Sequence, residues 1–150
     1  MNKNWHCIQL AEKMNQACKR EKTTYQLFVD GIPKAQPRPR LANNGKVFNP
    51  KSTDAWKEEI KAAFLMCRRE TITIPVFLKV VFYLPTPKAC KKFGEVVRHF
   101  AKPDLDNLLK AVMDAITSVR IWEDDALVFK IESEKWYSPD KTGAQFIIEA

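Results

Sequence analysis

Between residues 102 and 125 the chain gathers Asp104, Asp106, Asp114 and the pair Asp124-Asp125, with Lys110 among them. Asp106, Lys110 and Asp114 are spaced i, i+4, i+8, which puts them on one face of a helix. Carboxylates brought together repel one another unless a cation lies between them. Mg²⁺ takes oxygen ligands and keeps several waters, so a few carboxylates suffice to hold it. Beside a phosphodiester, such an ion neutralises the phosphate, lowers the pKa of bound water and stabilises the leaving oxygen. Asp104, Asp106 and one of Asp124 or Asp125 are the candidate ligands. Neighbours at the start of a strand point to opposite faces, so at most one of that pair faces an ion directly. Lys110, one turn from Asp106, can hold a phosphate or stabilise developing charge. The plainer reading of these residues is a capped helix with a solvated acidic face and an Asp–Lys pair.

The element that must position them is a helix from about 104 to 119. Pro103 ends what precedes it and suits a first helical turn. Apolar residues then fall at 105, 108, 109, 112, 116 and 119, a single stripe. Asp104 stands where its carboxylate can cap the exposed N–H groups.

Against this acidic knot the whole chain carries a formal net charge of +7, which favours a polyanionic partner. Part of that charge lies between Gly31 and Thr53, where Lys34, Arg38, Arg40, Lys46 and Lys51 meet no acid. Pro33, Pro37 and Pro39 make the segment stiff and extended, with Lys34, Arg38 and Arg40 presented outward as phosphate contacts. A second basic connection, from Lys88 through Lys91, Lys92, Arg98, His99 and Lys102, leads into Asp104. His99 is a weak metal or base candidate.

The remaining elements are read from pattern. Residues 1–22 form a helical extension, with Trp5, Ile8, Leu10, Ala11, Met14 and Cys18 at roughly helical spacing, and residues 23–150 form one domain. Strands are expected at 25–29, 76–84, 126–136 and 145–149, with a helix from Thr53 to about Arg69. The continuous apolar run at 76–84 suggests a central strand. The result is an α+β domain (α/β by loose usage), a mixed sheet of about four strands with packed helices. Cysteines 7, 18, 67 and 90 have no zinc-ligand or redox spacing and read as reduced thiols of a cytoplasmic protein. No secretory leader or membrane span is expected.

Lys102-Pro-Asp-Leu-Asp-Asn-Leu-x-Lys110, then Asp114-Ala115, then Trp122-Glu-Asp-Asp125, resembles the RusA family of Holliday junction resolvases. Gly31-x-Pro33 followed by Arg38-Pro-Arg40 resembles it too, and the likeness runs over about residues 27–149. The family cuts four-way DNA junctions as Mg²⁺-dependent homodimers and is common in phages and prophages. The resemblance therefore implies a cytoplasmic endonuclease of DNA recombination and repair, in a bacterial or phage-infected cell, with Mn²⁺ as a substitute ion. It selects Asp125 over Asp124 as the third ligand beside Asp104 and Asp106, and gives Lys110 a catalytic role. Lys135 fits the same pattern as a DNA contact. The chain departs from the family at Thr117-Ser118, where glycine is usual, and at Ala126-Leu127. Two other readings fit the same residues: a nuclease with broader taste for flaps and forks, and a DNA-binding protein without enzymatic activity.

Overall fold

The computed structural model describes residues 24–37, 54–88 and 94–150, with two short backbone stretches at 40–41 and 47–48. The expected N-terminal helix, Arg38, Lys91, Lys92 and the side chain of Arg40 lie outside the described residues. The described chain runs β1 (Thr24–Asp30), β2 (Arg40–Leu41), β3 (Val47–Phe48), α1 (Asp54–Met66), β4 (Val76–Pro85), β5 (Val97–Arg98), α2 (Leu105–Ser118), a 3-10 turn (Asp125–Leu127), β6 (Val128–Ser138) and β7 (Gly143–Glu149).

The main sheet has the order β1-β7-β4-β6-β5, and β2 pairs with β3 separately. β4 and β6 run parallel, while β1–β7, β4–β7 and β5–β6 are antiparallel. The sheet is therefore mixed, with β4 at its centre, as its apolar run implies. It holds five strands rather than about four. The extra one, β5, lies inside the basic connection and pairs only Val97 with Tyr137 and Arg98 with Trp136. Two residues carry no readable period.

Alternation along β4 assigns the faces. Val76, Leu78, Val80, Phe82 and Leu84 are buried beneath the helices, and Phe77, Lys79, Val81 and Tyr83 are half-buried on the opposite face. Both helices present the stripe their spacing requires: Trp56, Ile60 and Phe64 from α1; Leu108, Ala111, Val112, Ala115 and Ile116 from α2. Phe64 meets Phe146 edge-on at 5.4 Å. Lys57 joins the helices through an ion pair with Asp114, 3.2 Å apart. Asp114 thus has a structural partner, as its depth along the helix suggests.

Helix α2 ends without glycine. Arg120 takes the left-handed conformation (φ 54°). Its N–H donates to Thr117 O, and Ile121 N–H donates to Ile116 O. This double closure satisfies the last carbonyls that glycine usually helps to cap. The Trp122 indole donates to Thr117 Oγ1 at 2.7 Å, so the departure at Thr117 supplies an acceptor. Ile72 N–H and C=O bond to Ile121 and Glu123, fixing the return toward β6.

Candidate functional site

The opposite end of α2 is built differently. Asp104 occupies the N-cap position with extended backbone (φ −72°, ψ 142°), and its C=O accepts the Leu108 N–H. Its side chain makes no cap hydrogen bond, in contrast to the capping role its position suggests. Asp104, Asp106 and Lys110 are exposed. The ion pairs among the described residues join Lys57–Asp114, Lys61–Glu58, Lys79–Glu132, Lys130–Glu132 and Lys141–Asp30. Asp106 and Lys110 do not pair with each other, so the i, i+4 contact of the plainer reading is absent. Two exposed carboxylates stand at the positive end of the helix dipole, uncommitted among the described residues.

The basic arm reaches this end. Gln36 N–H donates to Asn107 O at 2.9 Å, laying the 32–37 segment against the first turn of α2. Pro33 is buried, and Lys34 is exposed. The arm and the acidic knot are distant in sequence but adjacent in space. Lys102 is exposed immediately before Pro103, and Lys88 is exposed beyond β4.

Lys135 holds the turn that carries Asp104. Its ammonium donates to Ala101 O at 2.7 Å and to Pro103 O at 2.8 Å. Its own carbonyl accepts the His99 N–H at 3.1 Å. One β6 residue thus fixes three points of the 99–103 segment. Its ammonium is already engaged, whereas Lys34 and Lys102 have no partner among the described residues. His99 is buried beside it, with its ring 4.1 Å from Tyr137 and Nδ1 lacking a hydrogen-bond partner. Burial first, and the Lys135 charge second, hold the imidazole pKa below its usual 6.5. Phe100 is 89% exposed and edge-on to Tyr137 at 5.8 Å.

Residues 30–149 match the family model described as Endodeoxyribonuclease RusA. The chain belongs to the RusA endodeoxyribonuclease family. It is also 37% identical over 124 residues to "Uncharacterized protein YqaN" of Bacillus subtilis (strain 168), a match covering 75% of this chain and 87% of that protein. The described residues include no helix long and apolar enough to cross a membrane.

Within this RusA-family chain the two members of the acidic pair have different surroundings. Asp124 caps the 3-10 turn by accepting the Ala126 N–H at 2.8 Å. Asp125 opens that turn, exposed and without a described partner. It lies just before β6, whereas Asp104 follows the segment bonded to Lys135. Val128 to Lys135 spans seven strand steps, so the two aspartates stand at opposite ends of α2, on the order of 20 Å apart. Among the described residues no three His, Cys, Asp or Glu side chains are grouped to hold a metal ion. The described chain therefore sets the carboxylates of Asp104 and Asp106 at one end of α2 and the third candidate at the other. Hollows of about 580 and 390 Å³ lie on the face of the sheet away from the two described helices, lined by residues such as Phe28, Tyr83 and Trp136. They touch none of these acids.

The sequence reading missed Gln36, Phe100 and the engaged state of Lys135. An exposed phenylalanine in a basic connection was a legible signal for nucleic-acid contact. The other two depend on the register between distant segments.

Proposed function

We propose that this RusA-family protein is a Mg²⁺-dependent, structure-selective endonuclease that resolves four-way DNA junctions by paired nicks, acting as a homodimer in cytoplasmic recombination and repair. The observation that carries the reading is the pair of unengaged carboxylates, Asp104 and Asp106, at the start of a helix flanked by the basic arm. No structural duty among the described residues explains them. A donor set of hard carboxylate oxygens suits Mg²⁺, with Mn²⁺ as a substitute. Bound there, the ion supplies neutralisation of the phosphate and an activated water.

The chain's own residues have separable roles. Asp104, Asp106 and Asp125 are the proposed ligands, with Asp124 left to its cap. Lys110 faces the scissile phosphate and stabilises charge that develops in the transition state. Lys34, Arg38, Arg40, Lys88, Lys91, Lys92 and Lys102 draw in the DNA backbone without reading its bases. Phe100 offers a flat apolar face on which an unstacked base at the branch can rest.

The test is a synthetic four-way junction incubated with the protein, with and without Mg²⁺, beside Asp106→Asn. Symmetric nicks are expected only from the wild type with the ion present. Equal cutting by both proteins, or none by either, refutes the reading. Linear duplex cut as fast as the junction removes the structure selectivity. Tight binding without cleavage leaves a DNA-binding protein.

A further inference from the structure

One face of the main sheet packs on α1 and α2, and no described helix lies over the other. β4 places Phe77, Val81 and Tyr83 on that second face, half-buried. Phe28, Trp136 and Ile147 come to it from the neighbouring strands by register. Phe28 and Tyr83 stand 6.1 Å apart, their rings tilted by 36°. The two hollows adjoin there, sharing Tyr83 and Gln145 as walls. β4 and β6 pair in parallel, and parallel sheets are almost always covered on both faces. An apolar face of this size calls for a second layer.

We infer that residues 1–22 of this same chain form a helix that lies on this face, with Cys7, Leu10, Ala11, Met14, Ala17 and Cys18 against it. Those six positions follow i, i+3, i+4, i+7, i+10 and i+11, a single stripe about 120° wide. Gln9, Glu12, Lys13, Gln16 and Arg20 fall on the opposite side, and Trp5 and Ile8 lie off the stripe near the start of the segment. The segment contains no glycine or proline. A helix of this length gains most of its stability from packing such a stripe. Residues 1–22 lie outside the described residues, and the family match begins at residue 30, so that match leaves their role open.

The point of entry favours this face. Thr24 opens β1, an edge strand beside β7. Tyr25 and Val29 are buried in the core under the helices, so Gln26 and Phe28 turn to the second face and line the larger hollow. From residue 7 to residue 18 a helix spans about 17 Å. β4 from Phe77 to Tyr83 covers about 20 Å. Residues 19–23 reach at most about 18 Å, enough to turn the chain back over the sheet, and connections of that length are common between neighbouring elements. The helix then runs antiparallel to β1, with Cys18 toward Phe77 and Ile147 and Cys7 toward the hollow between Phe28 and Tyr83. The charges agree. The segment carries five Lys or Arg against two Glu. Glu134, which walls the smaller hollow, accepts the Trp136 indole N–H and has no cation beside it among the described residues. Leu65 and Met66 at the end of α1, 51% and 90% exposed, are the rival landing place. Two adjacent side chains cannot cover a stripe of three turns.

The experiment uses the full chain and its native thiols. Maleimide labelling is followed residue by residue by mass spectrometry, with the exposed Cys67 as internal reference. Cys7 and Cys18 are expected to react at least about tenfold more slowly than Cys67, since a packed thiol is inert until its contact opens. Val81→Lys sets its ammonium across from Glu134 on β6 and should bring both thiols to the Cys67 rate. Ile147→Glu, which meets Lys79 across the strand pair, serves as the second variant should the first fail to fold by circular dichroism. Met14→Asp should release the same thiols from the other side of the contact. Cys7 and Cys18 as reactive as Cys67 in the unaltered chain overturn the inference. So does protection that survives the face variants, or that Met66→Lys releases instead, which places the helix on α1. Protection that fades on dilution means that a second copy covers the stripe, and overturns it too. No cleavage is read, so failure here leaves the nuclease reading untouched.

Discussion

The two ends of helix α2 answer to different demands. At its exit, Thr117, Arg120, Ile121 and Trp122 bond to one another or to Ile72 and Thr71. Ile121 and Trp122 are fully buried. At its entrance, Asp104 leaves its capping position unused, and Asp106 and Lys110 pass each other without pairing. The side chains at the exit bond within the fold, whereas those of Asp104, Asp106 and Lys110 at the entrance have no partner among the described residues. A helix start that forgoes a cap gives up about 1 kcal/mol. Under the proposed function, the Asp104 carboxylate is left free at that cost to hold the metal.

The contrast breaks most sharply on Asp106→Asn. Cleavage is expected to fall on the order of a thousandfold, through loss of a ligand beside the reacting phosphate. The melting temperature should change little, since Asp106 is exposed and has no described partner. A melting temperature that drops instead makes Asp106 a structural residue. Trp122→Ala is the mirror experiment. Removing this buried indole should cost about 3–5 kcal/mol, read by urea unfolding. The surviving folded fraction should still bind Mn²⁺ at the entrance.

Lys135→Met tests the seam between the two regimes, because Lys135 belongs to the fold yet serves the entrance. Losing its bonds to Ala101 and Pro103 should weaken Mn²⁺ affinity about tenfold, as removing a supporting contact behind a ligand typically does. Amide exchange at 101–106 should quicken, while the salt dependence of DNA binding stays unchanged. A lysine that instead touched phosphate would flatten that salt slope by about one unit. Lys135→Arg, which keeps a donor with different reach, should recover part of the affinity.

These residues also mark what was legible. The α2 stripe was readable because one helical face must be apolar over four turns, and 105, 108, 109, 112 and 116 satisfy that in sequence alone. The centrality of β4 followed from its apolar run. β5 was hidden because two residues cannot display a period. The division between Asp124 and Asp125 turned on a 3-10 turn, where the reading assumed an extended strand. The separation of Asp104 from Asp125 was illegible for a deeper reason. It depends on the return path through Ile72 and Trp122, a pairing fifty residues apart. Family motifs name the acids but are silent on whether one chain or two brings them together.

The smallest expected effect concerns His99, packed behind Lys135 and free of any proposed contact with DNA. Burial, then the Lys135 charge, lowers its pKa in the folded chain below the usual 6.5. In the unfolded chain it titrates near 6.5, so on acidification the unfolded state takes up its proton first. Stability from this group is therefore complete above about pH 6.5 and declines as the pH falls toward the depressed folded value. Glu132, lowered from 4.5 by its bond to Lys130, acts only at more acidic pH and stays outside this window. Melting temperatures between pH 5 and 7.5 should fall on the acid side for the wild type. His99→Phe, which keeps a ring against Tyr137, should show a shallower decline. Parallel profiles for the two proteins would mean that the imidazole takes up its proton equally in both states. The pocket behind Lys135 would then be wetter than the unpartnered Nδ1 implies, and the anchor of the Asp104 turn correspondingly looser.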